Sequence, residues 1–156
     1  MSARIALITA SIFCLSACAS LPETQDRPSK SQTTNGLDAR VLTSGECGLF
    51  VWSADEKKTF ILYGQSQQAR ASWLSPTGEM TLKVISQSGA PTQGQYPQQS
   101  LSAQAIGSLA LNLRGAQPIE SGTRYRLGTL TQRGAEGGDD RVTPVVGLSA
   151  CKPAAR

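Results

Sequence analysis

Histidine is absent from the 156 residues of this chain. The commonest metal ligand, and the one side chain that ordinarily changes charge near neutral pH, are therefore both missing. A serine hydrolase built on a His base is excluded. There is also no Gly-x-Ser-x-Gly turn to expose a nucleophilic serine. No apolar run approaches the ~20 residues that cross a bilayer as a helix. No stretch of residues 46–153 keeps a helical period, and the basic residues are scattered rather than clustered, so the chain shows no nucleic-acid footprint. Aromatic residues make up only 5% of the chain, and the two tryptophans, Trp52 and Trp73, read as core residues.

What is present begins with the N-terminus. Arg4 is the only charge in the first 22 residues, and an apolar run succeeds it over residues 5–15. A positive start, a short apolar centre and small residues at its end make a secretory signal peptide. The segment closes on Leu15-Ser16-Ala17-Cys18, which resembles the lipobox of bacterial lipoproteins. The resemblance covers the first 18 residues only. It implies that residues 1–17 are a lipoprotein signal peptide and that Cys18 becomes the first residue, carrying a diacylglycerol thioether and an acyl group on its amine. Each buried methylene contributes ~0.8 kcal/mol and a single myristoyl chain binds only marginally, so three chains would hold a protein on a bilayer lastingly. Ala19 stands where an Asp often marks retention at the inner membrane, so the resemblance implies an outer-membrane lipid anchor, facing the periplasm.

Losing the leader takes Arg4 from the 15 Lys and Arg and leaves 14 against 11 Asp and Glu, a net charge of +3 on 139 residues. That mild excess supports at most a weak attraction to anionic lipid or cell-wall polymer. Residues 18–45 are polar, contain Pro22 and Pro28, and lack apolar periodicity, so they read as a lipidated flexible tether. Its 27 residues after Cys18 would reach roughly 25–30 Å. Only residues 38–42 carry a hint of docking onto the domain that begins at residue 46.

With Cys18 taken by lipid and Cys14 lost with the leader, an exported chain keeps two thiols, Cys47 and Cys151. They are expected to form one disulfide. Two thiols without histidine are too few ligands for a metal site, and no cofactor is expected.

From residue 46 to 153 short β-rich runs alternate with Gly, Pro, Ser and Asn/Asp clusters. The expected strands are 47–52, 59–63, 70–74, 80–85, 101–106, 109–114, 123–131 and 142–151. Residues 87–99 read as a long surface loop with Tyr96 as its large anchor. The fold class is all-β, a small antiparallel barrel or sandwich of seven or eight strands closed by the disulfide. Within it, Tyr125 and Leu127 should face inward with Arg124 and Arg126 outward, and Pro144 should mark an edge or a bulge.

Arg124 and Arg126, with Arg114 on the neighbouring strand, form a candidate binding face for lipid phosphates or an acidic polymer. A solvated outer face explains the same pattern. The acidic pairs Asp55-Glu56 and Asp139-Asp140 lie in expected turns, where they solubilise more readily than they hydrolyse glycosides. Glu136 with Asp139 and Asp140 lacks the ligand spacing of a calcium loop. These readings point to a non-enzymatic, lipid-anchored binding or envelope-structural module, meeting an envelope protein or cell-wall polymer. The rivals are an inhibitor of a periplasmic or host hydrolase such as lysozyme, using the acidic turn at 136–140, and a carboxylate-based hydrolase.

Overall fold

A computed structural model describes residues 36–66, 68–104, 106–134 and 138–155. Its elements are eight strands: β1 Cys47–Ser53, β2 Phe60–Gln65, β3 Arg70–Ser75, β4 Gly78–Ser88, β5 Gln98–Ala103, β6 Gly107–Ile119, β7 Gly122–Gln132 and β8 Arg141–Cys151. Each pairs antiparallel with the next, and β8 returns to β1 to close a barrel. The choice between barrel and sandwich is thus decided by one non-local seam. That seam pairs every residue of β1, from Cys47 opposite Cys151 to Ser53 opposite Val145. Closure leaves no open strand edge to template aggregation.

The disulfide sits at one end of the seam. Cys47 and Cys151 are bonded, with Cα atoms 4.0 Å apart, slightly closer than the 4.4–6.8 Å usual for a bridge. The register explains the proximity. The Cys151 N–H turns to Ser121 O and the Cys47 carbonyl accepts from Ser66 N–H, so the cysteines form a non-hydrogen-bonded cross-strand pair. Such pairs bring Cα atoms closest.

Alternation puts one set of side chains inside. Leu49, Val51, Leu62, Trp73, Leu82, Leu101, Leu109, Leu111, Leu113, Tyr125, Leu130 and Val145 fill the barrel, all 6% exposed or less. Eight strands enclose a space that side chains can fill completely, and leucine does most of the filling here. Burying one such side chain contributes roughly 1.5–3 kcal/mol. Trp73 belongs to this core as expected. Trp52 does not: it lies outside the barrel, because β1 alternates Leu49 and Val51 inward with Phe50 and Trp52 outward.

Three further expectations need correction or refinement. Leu127 is 67% exposed rather than inward. The β7–β8 register slips between Tyr125 and Thr129, so the inward set passes from Tyr125 to Leu130 and skips Leu127. Gly128 lies in the slip, packed so closely that a Cβ there would come within 2.8 Å of Asn112 O. Pro144 sits at the other side of this irregularity, opposite Thr129, so it marks a bulge and not an edge. Finally, residues 87–99 are not one long loop. β4 and β5 extend into the segment, and residues 89–97 fold across the barrel end. There Gln95, 2% exposed, is the anchor in place of half-buried Tyr96. Ser149 Oγ donates to Thr92 O at 3.1 Å, and Leu113 N–H to Pro97 O at 2.8 Å, tying that closure to β8 and β6.

Candidate functional site

The described part of the polar N-terminal stretch lies against the barrel wall as a strap. Leu37 is 8% exposed and its N–H donates to Phe60 O at 2.7 Å. Leu42 reaches the backbone of Gly48, where a Cβ would meet its Cδ2 at 3.2 Å. These two leucines give an otherwise polar segment something to bury, so the domain begins near residue 37 rather than 46. The hint of docking at residues 38–42 is realised. Arg40 spans the strap and the wall, with its guanidinium 5.8 Å from the Tyr63 ring centre and an ion pair to Glu79. That pair is exposed, so its contribution is small. Cys18 and the rest of the expected tether lie outside the described residues.

Beside the strap, alternation on β1 and a register shift on β2 collect four rings on the outer wall: the slip between Val51 and Trp52 leaves Ile61 without a partner and brings Phe60 to the same side as Tyr63. Phe50 stacks with Trp52 at 6.1 Å and with Phe60 at 6.0 Å, Trp52 meets Phe60 at 5.5 Å, and Tyr63 closes on Phe50 at 5.2 Å. Offset and tilted ring pairs at these separations add ~0.5–1.5 kcal/mol each beyond area burial. The ring cluster explains why β1 reads as apolar on both faces: one face fills the barrel and the other, half-buried, packs beside the strap and lines an open groove.

Polar groups fix the lower border of this cluster. Thr43 N–H and Oγ1 both donate to Glu46 Oε2 at 2.8 Å, while Tyr63 OH and Gln65 Nε2 donate to Oε1. The Thr43 backbone bond foremost, then its hydroxyl, hold the Glu46 carboxyl below its ordinary range. Tyr63 moves the other way. Burial chiefly, with the Glu46 charge behind it, pushes its phenol above the usual value.

The wall continues apolar past β1. On β8 the inward set is Thr143, Val145, Gly147 and Ser149, and the outward set is Val142, Pro144, Val146, Leu148 and Ala150. An outer barrel wall facing water is ordinarily polar at such positions. The strap and this wall enclose an open groove of about 710 Å³, floored by Phe50, Trp52, Leu148 and Ala150 with Val41 and Lys152 at its rim. Val41 is 84% exposed and Val142 55%. Leu148 is also the cross-strand partner of Arg124, so a cationic border begins one strand beyond the groove.

No family model matches the chain, and no curated protein or solved structure matches it.

The three arginines expected to share a face are all exposed and occupy adjoining positions of β6 and β7. Arg126 Nε donates to Gln117 Oε1 at 2.9 Å and Arg114 Nε to Asn112 Oδ1 at 3.5 Å. Among the described residues none of the three is ion-paired with a carboxylate. The acidic pairs serve turns. Asp55 Oδ1 accepts from Ser53 Oγ at 2.7 Å and Lys58 N–H at 3.0 Å, and Asp140 Oδ1 accepts from Gly134 N–H at 3.3 Å. Glu136 lies outside the described residues. No group of three metal-ligating side chains occurs among the described residues. A smaller pocket of about 290 Å³ opens at the barrel end beside Trp73, Leu109 and Leu130. Its floor is made of core side chains.

Sequence reasoning missed Phe50, Phe60, Leu148 and the strap as parts of one surface. A signal existed on β8, where the alternate positions 142, 144, 146, 148 and 150 are all apolar while the inward set holds Thr, Gly and Ser.

Proposed function

We propose that this chain is a lipid-anchored envelope protein that works by binding, with Cys18 as its anchor and the outer wall of β2, β1 and β8 as its contact face. The observation that carries the reading is the apolar outward column of β8 beside four external rings, on a barrel whose interior is already filled with side chains. Contiguous exposed apolar surface rimmed by polar groups marks interaction sites. The resemblance of the leader to a lipoprotein signal supports a location at the outer membrane, facing the periplasm. The Cys47–Cys151 disulfide suits that oxidising compartment.

Photo-crosslinking in living cells tests the contact face. A photoreactive side chain at Val41, Val142 or Leu148 is expected to give products, while one at Arg70 or Lys83, on β3 and β4, gives none. Equal labelling from both sets would overturn the assignment of the face.

A second reading has one observation in its favour. Asp139 and Asp140 are exposed at a barrel end, where an inhibitor of a hydrolase such as lysozyme could present them to a cationic cleft. A cell-wall turbidity assay with added lysozyme separates the two. Protection that is lost in Asp139→Asn supports the inhibitor, and unchanged lysis leaves the binding module.

A further inference from the structure

We propose that the groove face docks on the phosphate-bearing surface of the same bilayer that holds the anchor. In this arrangement Trp52, Leu148 and Val41 meet the acyl boundary, while Lys152, Arg124 and Arg126 meet headgroup phosphates. The inference rests on the proposed anchoring at Cys18.

The chain joins the barrel on the apolar side. At Gly36, the first described residue of the strap, a Cβ would lie 3.4 Å from both Phe60 N and Phe60 O, so the strap meets the barrel beside the ring cluster. Seventeen residues, 19–35, lie between Cys18 and Gly36. Even fully extended, a chain of that length spans at most about 60 Å. The anchor thus attaches to the barrel on the side that carries Gly36, and that side is the apolar one.

The pattern of charge agrees with that orientation. Arg124 sits opposite Leu148 across β7 and β8, Arg126 lies two positions on, and Lys152 lines the groove itself. Among the described residues these three take no carboxylate partner. The strap contributes one exposed acid, Asp38, and Glu46 is occupied by Thr43, Tyr63 and Gln65. An apolar strip with a cationic border matches a membrane interface, where amphipathic rings sit at headgroup level and basic side chains find phosphates.

The two tryptophans supply the test, because Trp52 lies on the face and Trp73 is 6% exposed inside the barrel. The acylated full chain is reconstituted in phosphatidylethanolamine–phosphatidylglycerol vesicles with plain or brominated acyl chains. In Trp73→Phe, brominated lipid is expected to quench the remaining Trp52 emission, which also shifts to the blue. In Trp52→Phe, Trp73 emission is expected to be the same in both lipids. Should Trp73→Phe not fold, wild type against Trp52→Phe gives the same comparison, as quenching lost with an external ring. A lipid-free chain carrying Cys18→Ser reads the charges separately. Its affinity for these vesicles is expected to fall about five-fold for each of Arg124→Gln and Arg126→Gln. Preference for phosphatidylglycerol over phosphatidylcholine vesicles distinguishes net lipid charge from the bare phosphate. Acylated protein that floats with vesicles while Trp52 stays unquenched overturns the docking and leaves the anchoring intact. Trp52 shielded instead in a crosslinked dimer overturns it in favour of self-association. A chain that carries no acyl mass and does not float overturns the anchoring itself.

Discussion

Opening the Cys47–Cys151 bridge is the perturbation whose size can be worked most directly from the fold. The bond spans 104 residues, nearly the whole barrel. Chain-entropy reasoning for a closed loop of that length gives about 4.8 kcal/mol at 25 °C, an upper value that native relaxation reduces. Each kcal/mol moves the melting temperature of a domain of 60–100 residues by roughly 4–8 °C, so full reduction should lower it by on the order of 15 °C or more. The seam itself survives reduction, since β1 and β8 remain paired along the whole of β1. The reduced protein is therefore expected to fold to the same barrel, with an unchanged far-UV circular dichroism spectrum and an earlier thermal transition. Cys47→Ala and Cys151→Ala should each reproduce the shift, and the double variant should ignore reductant. Equal melting temperatures with and without reductant would refute the loop-entropy reasoning. Labelling of both cysteines in the native, unreduced domain would refute the bridge.

Local geometry gives two further expected outcomes. A Cβ on Gly122 would stand 1.9 Å from Ser149 O, a backbone atom that cannot swing aside. Gly122→Ala is thus expected to cost at least the upper end of the ~1–3 kcal/mol typical of overpacking, read as a lower urea midpoint, and an unchanged midpoint would contradict the close approach. Glu46, held below its ordinary 4.5, favours the fold when ionised. Its contribution is present above pH 4.5 and is lost as the pH falls through the lowered value. Wild type should therefore exceed Glu46→Gln in stability at neutral pH and converge with it in acid, and a gap that stays constant with pH would contradict the linkage.

The strands are legible in the sequence because their alternation is local. Leu109, Leu111 and Leu113 announce β6 without reference to any other part of the chain. Which face looks inward is harder to read wherever both are apolar. Leu49 and Val51 compete with Phe50 and Trp52 on β1, and only the strap, a tertiary contact, explains why the larger rings can stay outside. Period two misplaces Leu127 because it runs through a register slip that depends on β8. Gln95 gives no sign of burial, since a glutamine in a Gly- and Pro-rich stretch reads as loop whether or not that loop closes a barrel. The disulfide points to the seam, yet barrel and sandwich both bring first and last strands together. The Arg124–Arg126 spacing correctly puts both outward. Their proximity to an apolar groove depends on β8 lying beside β7, which spacing along one strand does not contain.

Lipid anchoring is tested most directly by the mass of the N-terminal peptide of the protein extracted from membranes. The expected result is a chain beginning at Cys18 that carries three acyl chains, with both the lipid mass and membrane retention lost in Cys18→Ser. An unmodified Cys18, or a chain whose first residue lies elsewhere, would contradict it.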